Sequence, residues 1–210
     1  MRHRKNDVLV YAEGGGDSDE LKSQMRKAFS EFFDKTHLKT CKPRVIACGS
    51  RSNAFNDFRM AIDQGRNALL LVDSEAPVDT NHQQENHFLP WAHLKCRDNW
   101  DKPDKANDAD CHLMVQVMES WFLVDWETVA TFFGQGFKTS PRPTQYIENM
   151  DKYSVYGTLD KATRDCKSKS KYAKGAHSFR LLALISPSFV QEASPWAKRF
   201  IEEIAKRKSA

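Results

Sequence analysis

The sequence has no apolar segment that approaches the roughly 18 to 20 residues needed to span a bilayer. Its basic N-terminus is followed by an apolar stretch of only about six residues that ends in an acid, so a signal peptide is not expected. The five cysteines are an odd number and form no Cys-x-x-Cys pair, which is typical of a reduced protein without a zinc knuckle. We therefore expect a cytoplasmic protein that does not associate with membranes.

Two common catalytic motifs are also missing. The glycines Gly14, Gly15 and Gly16 are not followed by the Lys-Ser/Thr that a Walker loop requires, which disfavours an ATPase. No Gly-x-Ser-x-Gly elbow occurs, so a serine hydrolase has no support. At 210 residues the chain can form one large domain, or a domain with an appendage, and its net charge of +4 is by itself weak support for a nucleic-acid partner.

Apolar runs alternate with amphipathic stretches, and this alternation predicts an α/β protein. Strands are expected over residues 7–13, 44–48, 68–73 and 112–118, and helices over residues 19–34, 51–64 and 120–133. The order strand, helix, strand, helix, strand favours parallel pairing with right-handed crossovers. The predicted fold is a small parallel sheet flanked by helices.

Two breaks in this pattern indicate how the chain is organised. Residues 76–110 are polar and have little periodicity, so we expect a long insertion over the active face, with one short helix near residues 90–95. The segment Ser140-Pro-Arg-Pro143 marks a boundary, beyond which helices are expected over residues 147–166, 178–185 and 195–206. We predict an α/β core over residues 1–139 and a helical, basic C-terminal appendage over residues 140–210.

Acidic residues stand at the ends of three predicted strands. Glu13 ends the first, Asp73 and Glu75 end the third, and Glu119 ends the fourth. In open parallel sheets, ligand sites lie outside the carboxyl ends of the strands, so these side chains are expected to meet. Four carboxylates would repel one another unless a cation lay between them. The sequence therefore predicts a metal site for Mg²⁺, with Mn²⁺ as the alternative.

Each of these acids also has a structural interpretation. Glu13 could face solvent in a tight turn, and Glu119 could lie in the first turn of a helix and favour its dipole. Asp73 and Glu75 could form a polar exit from a buried strand. Strand alternation, however, places Asp73 and Glu75 on one side of an extended segment, where they could share a cation. The repetition at three strands favours the metal site.

Several cationic residues could bind a phosphate near that metal. Arg51 lies at the start of a predicted helix, where the helix end favours anions. A basic stretch follows later in the chain, and its candidates for a nucleic-acid interface are Lys167, Lys169, Lys171, Lys174, His177 and Arg180. His177 could transfer protons and Arg180 could contact a phosphate. The alternative is that Arg51 and the basic stretch form solvated surface, or that His177 and Arg180 only pair within the helical region.

Four motifs give the sequence a family resemblance. They are Val10-Tyr-Ala-Glu-Gly-Gly15, Val115-Gln-Val-Met-Glu-Ser-Trp121, His177-Ser-Phe-Arg180 and Ser194-Pro-Trp-Ala-Lys-Arg-Phe200. Together they resemble the bacterial family called domain of unknown function 4276, over nearly the whole chain. A glutamate after the first strand and an acidic pair after a later one also resemble the Toprim domain, which topoisomerases, primases and the overcoming-lysogenization-defect nucleases share.

These resemblances imply a Toprim-like, metal-dependent nuclease that cleaves phosphodiester bonds in DNA or RNA. Glu13, Asp73, Glu75 and Glu119 would then be both the catalytic and the metal-binding residues. Glu75 replaces the second aspartate of the Toprim pattern, and its longer side chain leaves open whether one or two metals are held. Members of such families often accompany an ATPase in phage-defence gene clusters, which implies a defence role and an ATPase partner.

Two other functions remain open from the sequence. The same fold could be a non-catalytic module that binds nucleic acid or a partner protein, with the acids serving solubility and capping. It could also carry out phosphotransfer or process nucleotides. The oligomeric state is open, and an oligomer is compatible with the sequence.

Overall fold

The computed structural model describes residues 7–84, 87–144 and 146–209. Its strands and α-helices, in chain order, are β1 (Leu9–Gly15), α1 (Asp19–Asp34), β2 (Arg44–Gly49), α2 (Arg51–Asp63), β3 (Ala68–Asp73), β4 (Gln83–Gln84), β5 (His87–Phe88), α3 (Pro90–Asp98), β6 (Cys111–Met114), α4 (Trp126–Phe133), α5 (Lys152–Thr163), α6 (Ser178–Leu184), α7 (Pro187–Ala193) and α8 (Pro195–Ser209). Short 3₁₀ helices cover Thr80–His82, Asp108–Asp110, Met118–Val124 and Ile147–Asn149.

A four-stranded parallel sheet forms the centre of the protein, in the order β2-β1-β3-β6. Every residue of β3 is buried, because the strand lies between β1 and β6 with helices on both faces. Leu69 and Leu71 pack on the side of α1, α4, α6 and α8, whereas Leu70 and Val72 pack on the side of α2 and α3. Burial on two faces explains why this strand has an unbroken apolar sequence. The predicted α/β fold with a parallel sheet flanked by helices is confirmed.

Serine caps begin the first two helices. The Ser18 side chain accepts a hydrogen bond from the Leu21 amide at 3.3 Å, and the Ser50 side chain accepts one from the Asn53 amide at 3.1 Å. Such caps satisfy amide groups that have no partner inside the helix. They position α1 and α2 directly after the carboxyl ends of β1 and β2.

The fourth sheet strand is shorter than predicted. β6 ends at Met114, whereas the sequence predicted a strand over residues 112–118. Met114 pairs with Asp73, the last residue of β3, and β3 is the only described neighbour of β6. Beyond this last ladder pair the Glu75 amide still donates to the carbonyl oxygen of Gln116 at 2.8 Å, but the left-handed φ of Glu75 ends the extended pairing. Residues 118–124 instead form a 3₁₀ helix, so Glu119 lies in that helix and not at a strand end.

The segment between β3 and β6 contains more structure than the predicted insertion. A 3₁₀ turn and the short antiparallel pair β4–β5 precede α3. The short helix expected near residues 90–95 is confirmed as α3, which begins at Pro90 and continues to Asp98. α3 buries Trp91 and Leu94 against the sheet face that α2 also covers.

Among the helices after residue 140, α6 packs against α1 and α8 packs against β6, whereas α5 and α7 pack against the 3₁₀ helix Met118–Val124. Phe200, Ile201 and Ile204 of α8 belong to the same apolar core as α1 and β1. Arg207 of α8 donates a hydrogen bond to Asp110 at 2.6 Å, next to the start of β6. The helix predicted over residues 147–166 is a 3₁₀ turn followed by α5, and α7 was not predicted. A domain boundary at residue 140 stays a prediction.

Within residues 7–84, 87–144 and 146–209, no helix has both the length and the apolar character needed to cross a bilayer.

Candidate metal centre

Three of the four predicted acids meet at the carboxyl edge of the sheet. Glu13 lies in β1, Asp73 ends the adjacent strand β3, and Glu75 follows two residues later. Each contributes a carboxylate oxygen, and these three oxygens all lie within 4.8 Å of one another. The convergence follows from strand order, because neighbouring parallel strands end at the same edge.

One oxygen of each carboxylate is held in place by the protein. Oε2 of Glu13 accepts hydrogen bonds from Nη1 of Arg51 and from the Asp73 amide, both at 3.3 Å. Oδ1 of Asp73 accepts one from the Met118 amide at 2.9 Å. Oε2 of Glu75 accepts one from Nζ of Lys152 at 2.6 Å.

The second oxygen of each carboxylate is left for another partner. In the described part of the chain, no hydrogen bond reaches Oε1 of Glu13, Oδ2 of Asp73 or Oε1 of Glu75. Three converging carboxylates with spare acceptor capacity fit Mg²⁺ or Mn²⁺, which prefer oxygen ligands and keep waters in the remaining positions.

Glu75 reaches this group through an unexpected backbone conformation. The sequence predicted that extended alternation would place it beside Asp73, but its φ of +61° is left-handed. The Glu75 amide donates to the carbonyl oxygen of Gln116 at 2.8 Å, which helps to hold this turn. A left-handed backbone conformation costs a glutamate on the order of 1 kcal/mol of conformational free energy, so the surrounding contacts must hold Glu75 in place.

The electrostatic environments of the three acids differ. Burial raises the pKa of Asp73 well above its ordinary value, and the charges of Glu13 and Glu119 raise it further. Burial also raises the pKa of Glu13, although the Arg51 charge opposes this. Burial acts in the same direction on Glu75, but the hydrogen bond and charge of Lys152 outweigh it, so its pKa is lowered. A bound cation would favour the ionised form of the two raised carboxyls.

Arg51 supports the acids and has little donor capacity left. Its Nη2 donates to Asp98 at 2.7 Å and its Nε donates to the same carboxylate at 3.3 Å. Its Nη1 donates to Glu13 and to the main-chain oxygen of Asp73. The guanidinium also lies 5.0 Å from the ring centre of Trp100. These protein partners leave Arg51 little capacity to bind a phosphate. Phosphate binding by Arg51 stays a prediction.

Glu119 lies apart from the group of three. Its Oε1 accepts hydrogen bonds from the Tyr172 hydroxyl at 2.9 Å and from the Ser178 hydroxyl at 3.2 Å. Its Oε2 accepts one from the Tyr156 hydroxyl at 3.2 Å. The side chain is fully buried. These contacts show that both carboxylate oxygens have protein partners, unlike those of the three converging acids.

A cavity of about 270 Å³ is lined by Glu119 and by two of the three converging acids, Glu13 and Asp73. Its lining includes Glu13, Asp73, Glu119, Lys174 and Ser178. Nζ of Lys174 donates to the Tyr156 hydroxyl at 3.0 Å, and Tyr156 in turn donates to Glu119. Lys174 is thus the member of the predicted basic stretch that the fold places beside the acids.

Glycines form one wall of this cavity. A Cβ at Gly49 would lie 2.4 Å from the carbonyl oxygen of Gly16, and a Cβ at Gly15 would lie 2.9 Å from Cα of Lys22. Both glycines also have positive φ values, +77° and +85°. The close backbone approach therefore requires glycine at these two positions.

The other predicted phosphate-binding residues lie outside the cavity. His177 is buried, and its Nδ1 accepts a hydrogen bond from the Ala173 amide at 3.0 Å. Lys171 forms an exposed ion pair with Asp160 at 3.6 Å, and Lys167 is exposed. Lys169 and Arg180 both lie against the ring of Phe132. The His177 ring packs against Phe132 and Phe133, away from the cavity. A proton-transfer role for His177 stays a prediction.

Several residues that build the site were not predicted as site residues. Tyr156, Tyr172 and Ser178 hold Glu119, Lys152 holds Glu75, and Asp98 holds Arg51. Their partners lie far away in the sequence, and no periodic pattern links them. Ser178 alone carried a signal, because it belongs to the motif His177-Ser-Phe-Arg180.

The motif at residues 194–200 has a structural part in this fold. The Ser194 hydroxyl donates to the buried Glu148, and the indole of Trp196 donates to Gln83 at 2.6 Å. Arg199 donates to the carbonyl oxygen of Cys111 at 2.7 Å. These contacts attach the start of α8 to β6 and to β4, away from Glu13, Asp73 and Glu75.

Fold and site together define the class as a parallel α/β protein with a carboxylate cluster that fits a divalent cation. The chain belongs to the family described as domain of unknown function (DUF4276), whose sequence profile matches residues 12–205. The resemblance of the sequence to this family is therefore confirmed, and the resemblance to the Toprim domain stays a prediction. No curated protein and no solved structure matches the chain significantly.

Proposed function

We propose that this protein is a metal-dependent phosphodiesterase that cleaves nucleic acid, built on a Toprim-like arrangement. The observation that carries the proposal is the convergence of Glu13, Asp73 and Glu75, each of which has a carboxylate oxygen within 4.8 Å of the others. A cluster of this kind favours Mg²⁺ or Mn²⁺.

The cavity beside the cluster suits a phosphate. Lys174 supplies a cation on the same cavity wall as Ser178, and the glycine wall allows close backbone approach. An anionic phosphate placed there would be in the same cavity as Lys174 and as Glu13 and Asp73, two of the acids that would hold the metal. Phosphodiester substrates therefore fit better than neutral ones.

Each residue has a defined part in this mechanism. Glu13, Asp73 and Glu75 would hold the metal, and a bound divalent ion supplies Lewis acidity and an activated water. Arg51 keeps Glu13 oriented through the 3.3 Å contact between Nη1 and Oε2. Lys174 would balance charge on the phosphate oxygens. Glu119 orients Tyr156, which accepts the hydrogen bond from Lys174.

The wider role is also part of the proposal. An ATPase partner and a phage-defence role are supported by the sequence resemblance to families that accompany ATPases in such gene clusters. DNA and RNA are both candidate substrates.

The metal-binding step has a direct test. Isothermal titration with Mn²⁺ is expected to show binding to the wild type, and loss of at least about tenfold in affinity for Asp73→Asn and Glu13→Gln. Asp104→Asn, at an exposed acid, serves as the matched control. Equal Mn²⁺ affinity in the wild type and in Asp73→Asn would overturn the proposed centre.

The cleavage step is tested with plasmid, single-stranded DNA and tRNA in the presence of Mg²⁺, Mn²⁺ or EDTA. We expect metal-dependent cleavage that Asp73→Asn and Glu13→Gln abolish while their melting curves stay close to that of the wild type. Cleavage that persists in both variants would assign the activity to another site or a contaminant.

One observation favours the non-catalytic alternative. Arg51 pairs with Glu13 at 3.3 Å and Lys152 pairs with Glu75 at 2.6 Å, so protein cations already offset two of the three acids. A binding module would need no metal. Nucleic-acid binding without cleavage, unchanged in Asp73→Asn and without Mn²⁺ uptake, would support that module.

A further inference from the structure

A second, larger groove opens next to the metal-centre cavity. It lies between α1 and α6, has a volume of about 720 Å³, and is called the α1–α6 groove below. Leu21 and Phe179 line both the groove and the cavity. The groove and the cavity are therefore adjacent, and a polymeric ligand bound in one could extend into the other.

Two cations share one aromatic ring at the rim of this groove. Nζ of Lys169 lies 4.7 Å from the ring centre of Phe132, and Cζ of Arg180 lies 5.0 Å from it. Among the residues that the structure describes, neither cation has an acidic partner within 4.0 Å. Like charges held this close to one ring favour an anion between or beside them.

The two acids that line the groove both lie on the α1 side. Glu31 of α1 lies 3.7 Å from Nζ of Lys27, and Glu20 accepts a hydrogen bond from Gln24 at 3.2 Å. Three cations, Lys27, Lys169 and Arg180, thus face these two acids in the groove lining, and the excess positive charge lies on the side of α6.

The floor of the groove is apolar. Its lining includes Ala28, Ala176, Phe179 and Ala183, together with Leu184, a large apolar side chain that is 51% exposed. A cationic rim above an apolar floor matches a ligand with a charged backbone and flat, uncharged side groups.

We propose that the α1–α6 groove binds a single strand of nucleic acid that extends from the metal centre. Phosphates lie against Lys169 and Arg180, and unpaired bases cover the apolar floor beside Leu184. This inference rests on the proposed function, because it takes the metal centre as the place where the strand is cut. A duplex fits less well, since its bases are paired inside and would leave the floor uncovered.

The first test measures binding without cleavage. Fluorescence anisotropy of a labelled single-stranded oligonucleotide is recorded with EDTA present, for the wild type and for the double variant Lys169→Ala/Arg180→Ala. We expect the double variant to bind about tenfold more weakly, with the slope of log K against log salt smaller by about 1.4, that is about 0.7 for each phosphate contact. Lys206→Ala is the control, because this exposed lysine lies beside Arg207 at the opposite edge of the sheet.

A second variant separates the floor from the rim. Leu184→Gln should weaken single-strand binding several-fold while leaving the salt slope unchanged, because it alters base contact and no charge. Both Leu184 and Arg180 are exposed, so the variants should keep the wild-type melting temperature. Mn²⁺ affinity should also stay the same in all groove variants.

The outcomes distinguish this inference from the proposed function. Wild-type affinity in the double variant, or the absence of oligonucleotide binding, would overturn the groove assignment and leave the Mn²⁺ and cleavage results standing. A duplex that binds as tightly as the single strand would overturn the single-strand assignment. An acidic helical peptide that binds there in place of the oligonucleotide would assign the groove to a protein partner and overturn the inference.

Discussion

The Tyr172 hydroxyl donates a hydrogen bond to Oε1 of Glu119 at 2.9 Å, although the two residues are 53 positions apart in the sequence. Ser178 donates to the same oxygen, and Tyr156 donates to the other. A buried carboxylate with three hydroxyl donors is held by the protein alone. This separates Glu119 from the three acids that each keep one oxygen without a described partner.

The first prediction uses this difference to decide whether Glu119 binds metal. Glu119→Gln should retain Mn²⁺ affinity within about threefold, because the amide removes a charge near the site but no ligand. Asp73→Asn in the same titration should lose at least about tenfold. If Glu119→Gln loses as much affinity as Asp73→Asn, Glu119 is a direct ligand.

Stability measurements test whether the hydrogen bonds to Glu119 stabilise the folded protein. Tyr172→Phe removes one donor to a buried carboxylate and should lower the free energy of unfolding by about 1 to 3 kcal/mol in urea titrations. Tyr153→Phe provides the matched control, because Tyr153 is 77% exposed. Equal stability of the two variants would mean that the Tyr172 hydrogen bond contributes nothing measurable.

A second prediction concerns the cation that competes for Glu75. Lys152 donates to Oε2 of Glu75 at 2.6 Å, and a metal at the cluster would have to share that carboxylate. Lys152→Gln should therefore raise Mn²⁺ affinity several-fold at low salt, because it removes a nearby positive charge. Lys161→Gln, an exposed lysine at the other end of α5, should leave the affinity unchanged. A fall in affinity on replacing Lys152 would show that the lysine orients Glu75 for the metal.

The third prediction is a pH dependence of stability from Glu148. Burial raises the pKa of this carboxyl from 4.5 to about 7, and the hydrogen bonds from Ser194, the Trp196 amide and Tyr146 only partly oppose that rise. Because the folded-state pKa lies above the unfolded value, the protonated group contributes stability that is fully present below about pH 4.5. This contribution is lost as the pH rises through about 7.

Glu148→Gln isolates this contribution from the other titrating groups. The difference in unfolding free energy between wild type and variant should change by about 3 kcal/mol between pH 4.5 and 7.5, with the wild type losing stability relative to the variant. Urea unfolding at several pH values measures it. A difference that is constant across this range would mean that Glu148 titrates normally.

The fourth prediction tests the glycine wall of the cavity. Gly49→Ala should destabilise the protein by more than about 2 kcal/mol, because left-handed strain adds to a clash of the new Cβ with the backbone oxygen of Gly16. Gly65→Ala is the matched control, since its φ is also left-handed at +69° but nothing lies within 4 Å of its Cβ position. It should cost only about 1 kcal/mol, from backbone strain alone. Equal losses in the two variants would rule out the close approach at Gly49.

The parts of the fold that were predicted correctly have strong local signals. α1 covers residues 19–34 as predicted, because Ser18 caps it and its apolar face repeats at helical spacing. β3 also has the predicted bounds, since a strand buried on both faces needs a continuous apolar run. The sequence-based prediction was wrong where the end of a strand depends on the neighbouring strand. β6 stops at Met114, where β3 ends beside it and Glu75 takes a left-handed φ, and the sequence of β6 carries no sign of that.

The sequence by itself determined the βαβ framework and the meeting of Glu13 with Asp73. Both depend on patterns within a few residues and on the rule that adjacent parallel strands end at one edge. Only the tertiary structure decided that Glu75 joins them through a left-handed turn and that Glu119 is held by hydroxyl groups instead. Those outcomes depend on contacts between segments that are far apart in the chain. Packing of the whole fold brings these segments together, and no periodic pattern in the sequence indicates which of them will meet.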